Sequence, residues 1–170
     1  PIPTAVRVHA TARVGPLFTR GMAKTHGCTG SVVHSRTHDT VLMAAHCGVR
    51  AGMLFAPGFD NGAPPYGVWR ISSVFVDGAW AAHRDPRRDF AVLKMAPQLR
   101  AGHRVRIEDV TGAYALATAP RPETRLVVVG YLIGIHDRPI QCLVTVYLTG
   151  VYPSFNCRGY GGGTRGAPGV

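Results

Sequence analysis

The chain has 170 residues, of which 46% are apolar and only 16% charged, a balance that excludes a disordered segment and supports one domain with a sizeable core. The 21 glycines and 13 prolines favour short strands and turns over long helices. The net charge of +10 comes from 19 basic against 9 acidic residues, all the basic ones arginine except Lys24 and Lys94. These arginines are scattered, and only Arg84, Arg87 and Arg88 gather. The charge therefore reads as an arginine-rich composition, with no specific nucleic-acid partner expected.

No apolar run is long enough for a membrane span or a signal-peptide core, so no membrane partner is expected. The chain begins at Pro1, which reads as a processed or fragmentary product. Four cysteines, Cys28, Cys47, Cys142 and Cys157, fall as two local pairs, although four cysteines allow three connectivities. There is no Cys-x-x-Cys, so no zinc ribbon, other metal site or cofactor is expected. Two bridges would imply an oxidising, extracellular compartment.

In chain order, residues 1–13 have no clear period and read as a propeptide remnant or loose arm. Strands are predicted over Val14–Thr19, Gly30–Ser35, Thr40–Ala44, Met53–Ala56 and Gly67–Val76, separated by turn residues. Asp77–Arg88 reads as a polar, turn-rich stretch that delivers Asp89 to the apolar strand Asp89–Met95. Ala96–Thr111 reads as a connector. Arg125–Tyr131 opens a second β unit, and Ile140–Leu148 with Val151–Cys157 form a hairpin about Thr149-Gly150. Cys142 and Cys157 stand near the outer ends of that hairpin, placed to clamp it. The glycine-rich stretch CRGYGGGTRGAPGV then ends at Val170.

The central stretch is VLMAAHC, Val41 to Cys47: an apolar strand running into a turn that presents His46. Cys28 lies upstream, just before a Ser-Val-Val strand. Asp89 follows in RRDFAVL, and the loop CRGYGGGTRGAP closes the series. This set resembles the chymotrypsin- and trypsin-like serine peptidases, and the loop resembles a secreted bacterial branch of them. The resemblance covers about residues 14 to 168. It implies an all-β, chymotrypsin-like double β-barrel, with residues 14–100 as the first barrel and 101–170 as a connector and incomplete second barrel. It also implies a Cys28–Cys47 bridge, with Cys142–Cys157 left as the other pair.

The resemblance implies peptide-bond hydrolysis on a peptide or protein substrate. His46 would be the base and Asp89 its orienting carboxylate, and the N–H groups of Gly163 and Arg165 would form the oxyanion hole. It also demands a serine where this chain has Arg165. A guanidinium has no lone pair with which to attack a carbonyl, and a cation there opposes the imidazolium that His46 must become; pairing of Arg165 with Asp89 is an alternative. Gly159 occupies the position of a trypsin pocket-base aspartate, so preference for Arg or Lys does not follow. Thr164 replaces the aspartate that pairs with a freed N-terminus in animal trypsins. Three readings stay open: a lesion in an active endopeptidase, a pseudopeptidase kept for binding peptides or a partner, and a basic binder of acidic polymers.

Overall fold

The computed structural model describes residues 1–170. Thirteen short strands and two short helices follow in order. The first half contains β1 (Val6–Arg7), β2 (Val14–Phe18), β3 (Gly27–Val32), β4 (Thr40–Met43), β5 (Leu54–Phe55) and β6 (Trp69–Val76). Helix α1 (Gly78–His83) and β7 (Ala91–Met95) complete it. The second half contains β8 (Gln98–Arg100), β9 (His103–Val105), α2 (Ile107–Thr111), β10 (Arg125–Gly130), β11 (Ile140–Thr145), β12 (Tyr147–Thr149) and β13 (Tyr152–Ser154).

Strands β2 to β7 close into a six-stranded barrel in the order β2-β3-β4-β7-β6-β5. Alternation explains the closure. In β7, Ala91, Leu93 and Met95 are buried while Val92 and Lys94 are only partly so, as period-two side chains require. The barrel fills with Leu17, Val41, Met43, Phe55, Trp69, Ile71 and Leu93, each 2% exposed or less. Where β2 crosses β5, no Cβ fits at position 15: it would lie 2.4 Å from the Ala56 carbonyl oxygen, so Gly15 is the residue the crossing needs.

The second half does not close. Strands β10 and β11 pair antiparallel over their whole length, and β1 adds to the far side of β11. Val170 exchanges two backbone hydrogen bonds with Val127 and covers part of the other edge. A cluster of Val14, Phe18, Ala56, Phe59, Val129 and Tyr131 seals this sheet against the barrel. The Tyr131 hydroxyl donates to the Phe59 carbonyl at 2.6 Å, and burial pushes its ionisation well above the usual range.

Three expectations differ from what forms. Residues 1–13 are not loose, because Val6 and Arg7 pair with Gln141 and Ile140 and Ala5 N–H donates to the Arg158 carbonyl. Asp77–Arg88 is not merely turns. The Asp77 carboxylate accepts from Ala79 N–H at 2.8 Å, caps α1, and the alanines beside Trp80 continue the helix. The connector at Ala96–Thr111 holds the β8–β9 hairpin and α2.

Candidate active site

The register of β4 on β7 builds the first part of the site. Thr40 opposes Lys94 and Met43 opposes Ala91, so the next residues off each strand end bring Asp89 to the turn after β4. That turn is a short 3-10 helix, Ala45–Cys47, closed by Gly48 in the left-handed region at φ 65°. The Cys28–Cys47 disulfide ties it back to β3.

Asp89 is wholly committed to His46. Its Oδ1 accepts from the His46 backbone N–H at 2.8 Å, and its Oδ2 lies 2.5 Å from His46 Nδ1. This pairing leaves Nε2 as the outward-facing ring nitrogen, the one a general base would use. Trp80, 8% exposed, stands beside the imidazole with ring centroids 6.5 Å apart, and the Arg84 guanidinium lies over the indole at 5.3 Å. A helix carrying this tryptophan was legible in principle from Asp77 ahead of an alanine-rich run, a capping signal outweighed by the surrounding turn residues.

The glycine-rich loop meets this face. Gly166 and Ala167 line one shallow depression of about 370 Å³ with His46, Asp89 and Phe90. A Cβ on Gly166 would lie 2.9 Å from the Ala44 backbone nitrogen, so the loop and the histidine turn touch through main chain. Gly163 is more constrained still: at φ 94° its Cβ would fall 2.3 Å from the Ile133 nitrogen. The N–H groups of Gly163 and Arg165 donate to no protein acceptor. Their carbonyls, in contrast, are both bound. Thr29 N–H donates to Arg165 O at 2.8 Å, and Thr29 Oγ1 donates to Gly163 O at 3.0 Å.

Thr29 is a residue that sequence reasoning missed. It is fully buried, and its hydroxyl also accepts from Tyr131 N–H at 2.9 Å. One side chain thus joins β3, the loop and the second sheet. Nothing local signals this, because its partners lie 102 and 134 residues away. Thr164, also buried, holds the loop from inside by donating to the Gly161 carbonyl.

Arg165 is exposed and makes no ion pair. The alternative pairing with Asp89 does not form, because both carboxylate oxygens are taken by His46. The second disulfide, Cys142–Cys157, ties the start of the loop to β11.

A family model described as Trypsin matches residues 6–167. No curated protein matches. Among solved structures, the protease Anisep from Arthrobacter nicotinovorans is similar with a TM-score of 0.76 at 22% identity, over 98% of this chain and 80% of that one. The thermostable serine protease AL20 from an extremophilic microorganism is similar with a TM-score of 0.76 at 21% identity, over 94% of this chain and 78% of that one. Human heparin binding protein is similar with a TM-score of 0.70 at 17% identity, over 99% of this chain and 80% of that one. At these identities the structural likeness is one of fold.

Proposed function

The chain belongs to the trypsin family, and from that premise we propose that it has kept the catalytic base of a serine endopeptidase and lost the nucleophile, so that it holds peptide or protein without cleaving it. The observation that carries this reading is Arg165, exposed between Thr164 and Gly166 in the glycine loop. The family's reaction needs a hydroxyl there. His46 Nε2 would take its proton, Asp89 would hold the imidazolium, and two backbone N–H groups would receive the oxyanion. A guanidinium is acceptor-free and stays charged, so no acyl-enzyme forms. The rest of the machinery supports binding in the same place: the His46–Asp89 pair is fully formed, and the N–H groups of Gly163 and Arg165 are free to receive a carbonyl oxygen. The two disulfides support an extracellular setting.

The test pairs a fluorophosphonate probe with casein as protein ligand. The unaltered chain should bind casein, release no fragments and take up no label. Arg165→Ser should label, and Arg165→Ser with His46→Ala should not. Cleavage by the unaltered chain overturns the assignment of the loop. A folded Arg165→Ser protein that stays inert means that more than the nucleophile is gone, and overturns the claim that the base is still competent.

A second reading, binding of sulfated or phosphorylated polymers, draws on the net charge of +10 and on a structural relative whose name is heparin binding protein. The gathered arginines are partly spent, since Arg87 pairs with Asp85 at 2.8 Å and Arg88 approaches Asp77 at 3.9 Å. Such binding should be weak, and a heparin column should release the protein by about 0.15 M salt. Retention well beyond that would favour the polymer reading over the peptide one.

A further inference from the structure

At the end of β4 opposite His46, four chemistry-bearing side chains meet that the peptidase reading does not use. His34 and His38 stand on the β3–β4 turn, and Glu108 and Asp109 stand in the first turn of α2, more than seventy residues later. One donor atom from each of His34, His38 and Glu108 lies within 4.8 Å of the others. His34 Nδ1 is 2.5 Å from Glu108 Oε1, His38 Nδ1 is 2.7 Å from Asp109 Oδ1, and the two imidazole centroids are 5.9 Å apart.

The two segments are fixed to each other by main chain, so this meeting does not depend on the side chains alone. Glu108 N–H donates to the His38 carbonyl at 3.0 Å, and Ser35 N–H donates to Glu108 Oε2 at 3.2 Å. His34 N–H donates to the Tyr114 carbonyl at 2.8 Å, beyond the helix. His38 itself sits at φ 55°, in the left-handed region, which costs a non-glycine residue roughly 1 kcal/mol or more. Glu108 Oε2 is engaged by Ser35, and Oε1 faces the imidazoles. The neighbouring cations are occupied elsewhere: Lys94 lies 2.8 Å and Arg106 3.8 Å from Asp39.

We propose that His34, His38 and Glu108 bind one divalent transition-metal ion of the zinc class, with Asp109 orienting the His38 ring. Imidazole and carboxylate donors suit zinc at metal–ligand distances of about 2.0–2.2 Å, which places tetrahedral donors about 3.3 Å apart. Small rotations of these side chains, His34 exposed and His38 and Glu108 half-buried, would bring the three donors to that spacing. Asp109 on His38 Nδ1 leaves Nε2 for the ion, the carboxylate–histidine–metal arrangement that fixes a tautomer. The two carboxylates balance a charge of +2. The ion would staple the β3–β4 turn to α2, and so the barrel to the start of the second half. It stabilises the fold as any ligand of the native state does.

Isothermal titration of the EDTA-treated, dialysed chain with zinc chloride, in a buffer that does not bind metal, tests this. One saturable site is expected, with a rise in Tm at saturating zinc. His34→Ala, His38→Ala and Glu108→Gln should each abolish it, and Asp109→Asn should weaken it about 10- to 100-fold. His103→Ala and His136→Ala should leave the isotherm unchanged. A second measurement needs no variant: in imidazole NMR spectra of the unaltered chain, zinc should shift His34 and His38 and leave His46 in place. Absence of a saturable site, survival of binding in all three ligand variants, or shifts centred on His46 would each overturn the proposal.

Discussion

The two halves of the molecule present the site in different ways. The barrel half closes on itself, packs Trp69, Phe55 and Leu93 to complete burial, and supplies His46 and Asp89 from adjacent strand ends. The second half is an open three-stranded sheet with a small cluster of Val128, Cys142 and Val144. It supplies a loop that is shaped by glycine and held from outside by Thr29. A dyad built on strand register needs only its own barrel. A loop built on borrowed hydrogen bonds needs both halves and the seam between them.

Removing the largest core side chain should break the contrast most severely. Trp69→Ala should cost about 3–5 kcal/mol and unfold both halves together in a denaturant titration, because the seam and the loop rest on the barrel. Val144→Ala, in the second sheet, should cost about 2 kcal/mol and leave the imidazole resonance of His46 unmoved. If Val144→Ala disturbs His46 as much as Trp69→Ala does, the halves are not distinct in this sense.

Opening the second disulfide should sharpen the comparison. Cys142→Ser with Cys157→Ser releases a 15-residue span and should cost about 3 kcal/mol. Hydrogen exchange should rise in β10, β11 and the glycine loop while β4 and β7 stay protected. Uniform loss of protection across the chain would count against separate support for the dyad.

Thr29→Val keeps the shape and removes the hydroxyl that serves both halves. Gly163 O loses a donor and Tyr131 N–H loses an acceptor, for an expected cost of about 1–3 kcal/mol. In the Arg165→Ser background the rate of phosphonate labelling should fall more than stability does. Unchanged labelling would show that the loop holds its form without Thr29.

The smallest effect concerns pH. His26 is buried at the seam, edge-on to Phe18, Phe59 and Tyr131, with Nε2 3.3 Å from Asp137 Oδ2. Desolvation lowers its pKa below the usual 6.5, outweighing the attraction of Asp137. The unfolded chain therefore takes up the proton first. Stability from this group is complete above the ordinary value and declines as pH falls below about 6.5 toward the folded value. Thermal melts of the His26→Leu variant between about pH 5 and about 7.5 should show a flatter acid limb. An unaltered slope would mean that His26 does not titrate differently on folding.

A barrel or sandwich was legible in β-branched runs between turn residues, with the alternation of Gly67–Val76 and the apolar run of Asp89–Met95, and the family resemblance chose the barrel. His46 and Asp89 were legible through the resemblance, each beside a strand end with a recognisable apolar run, and the fold brings them within hydrogen-bond distance. What escaped has no local pattern. Strand β1 is two residues long and exists only through Gln141 and Ile140. Helix α1 is a single capped turn and a half inside a polar stretch. Thr29 sits unremarkably between Cys28 and Gly30, and the meeting of His34 with Glu108 is set by how α2 docks on a distant turn.

The loop protects its glycines and buries Thr164, and it leaves Arg165 unguarded. Gly163 and Gly166 are fixed by backbone close approach, but the Arg165 side chain is exposed, and the contact that seats this residue is its own carbonyl on Thr29 N–H. Folding thus imposes almost no filter on what side chain position 165 carries. Serine and arginine have codons a single base apart, so a gene of this kind can drift between the two in one step, in either direction, with every protein along the way folded. Chemistry at this position is inherited separately from architecture, and only selection on turnover itself would keep it.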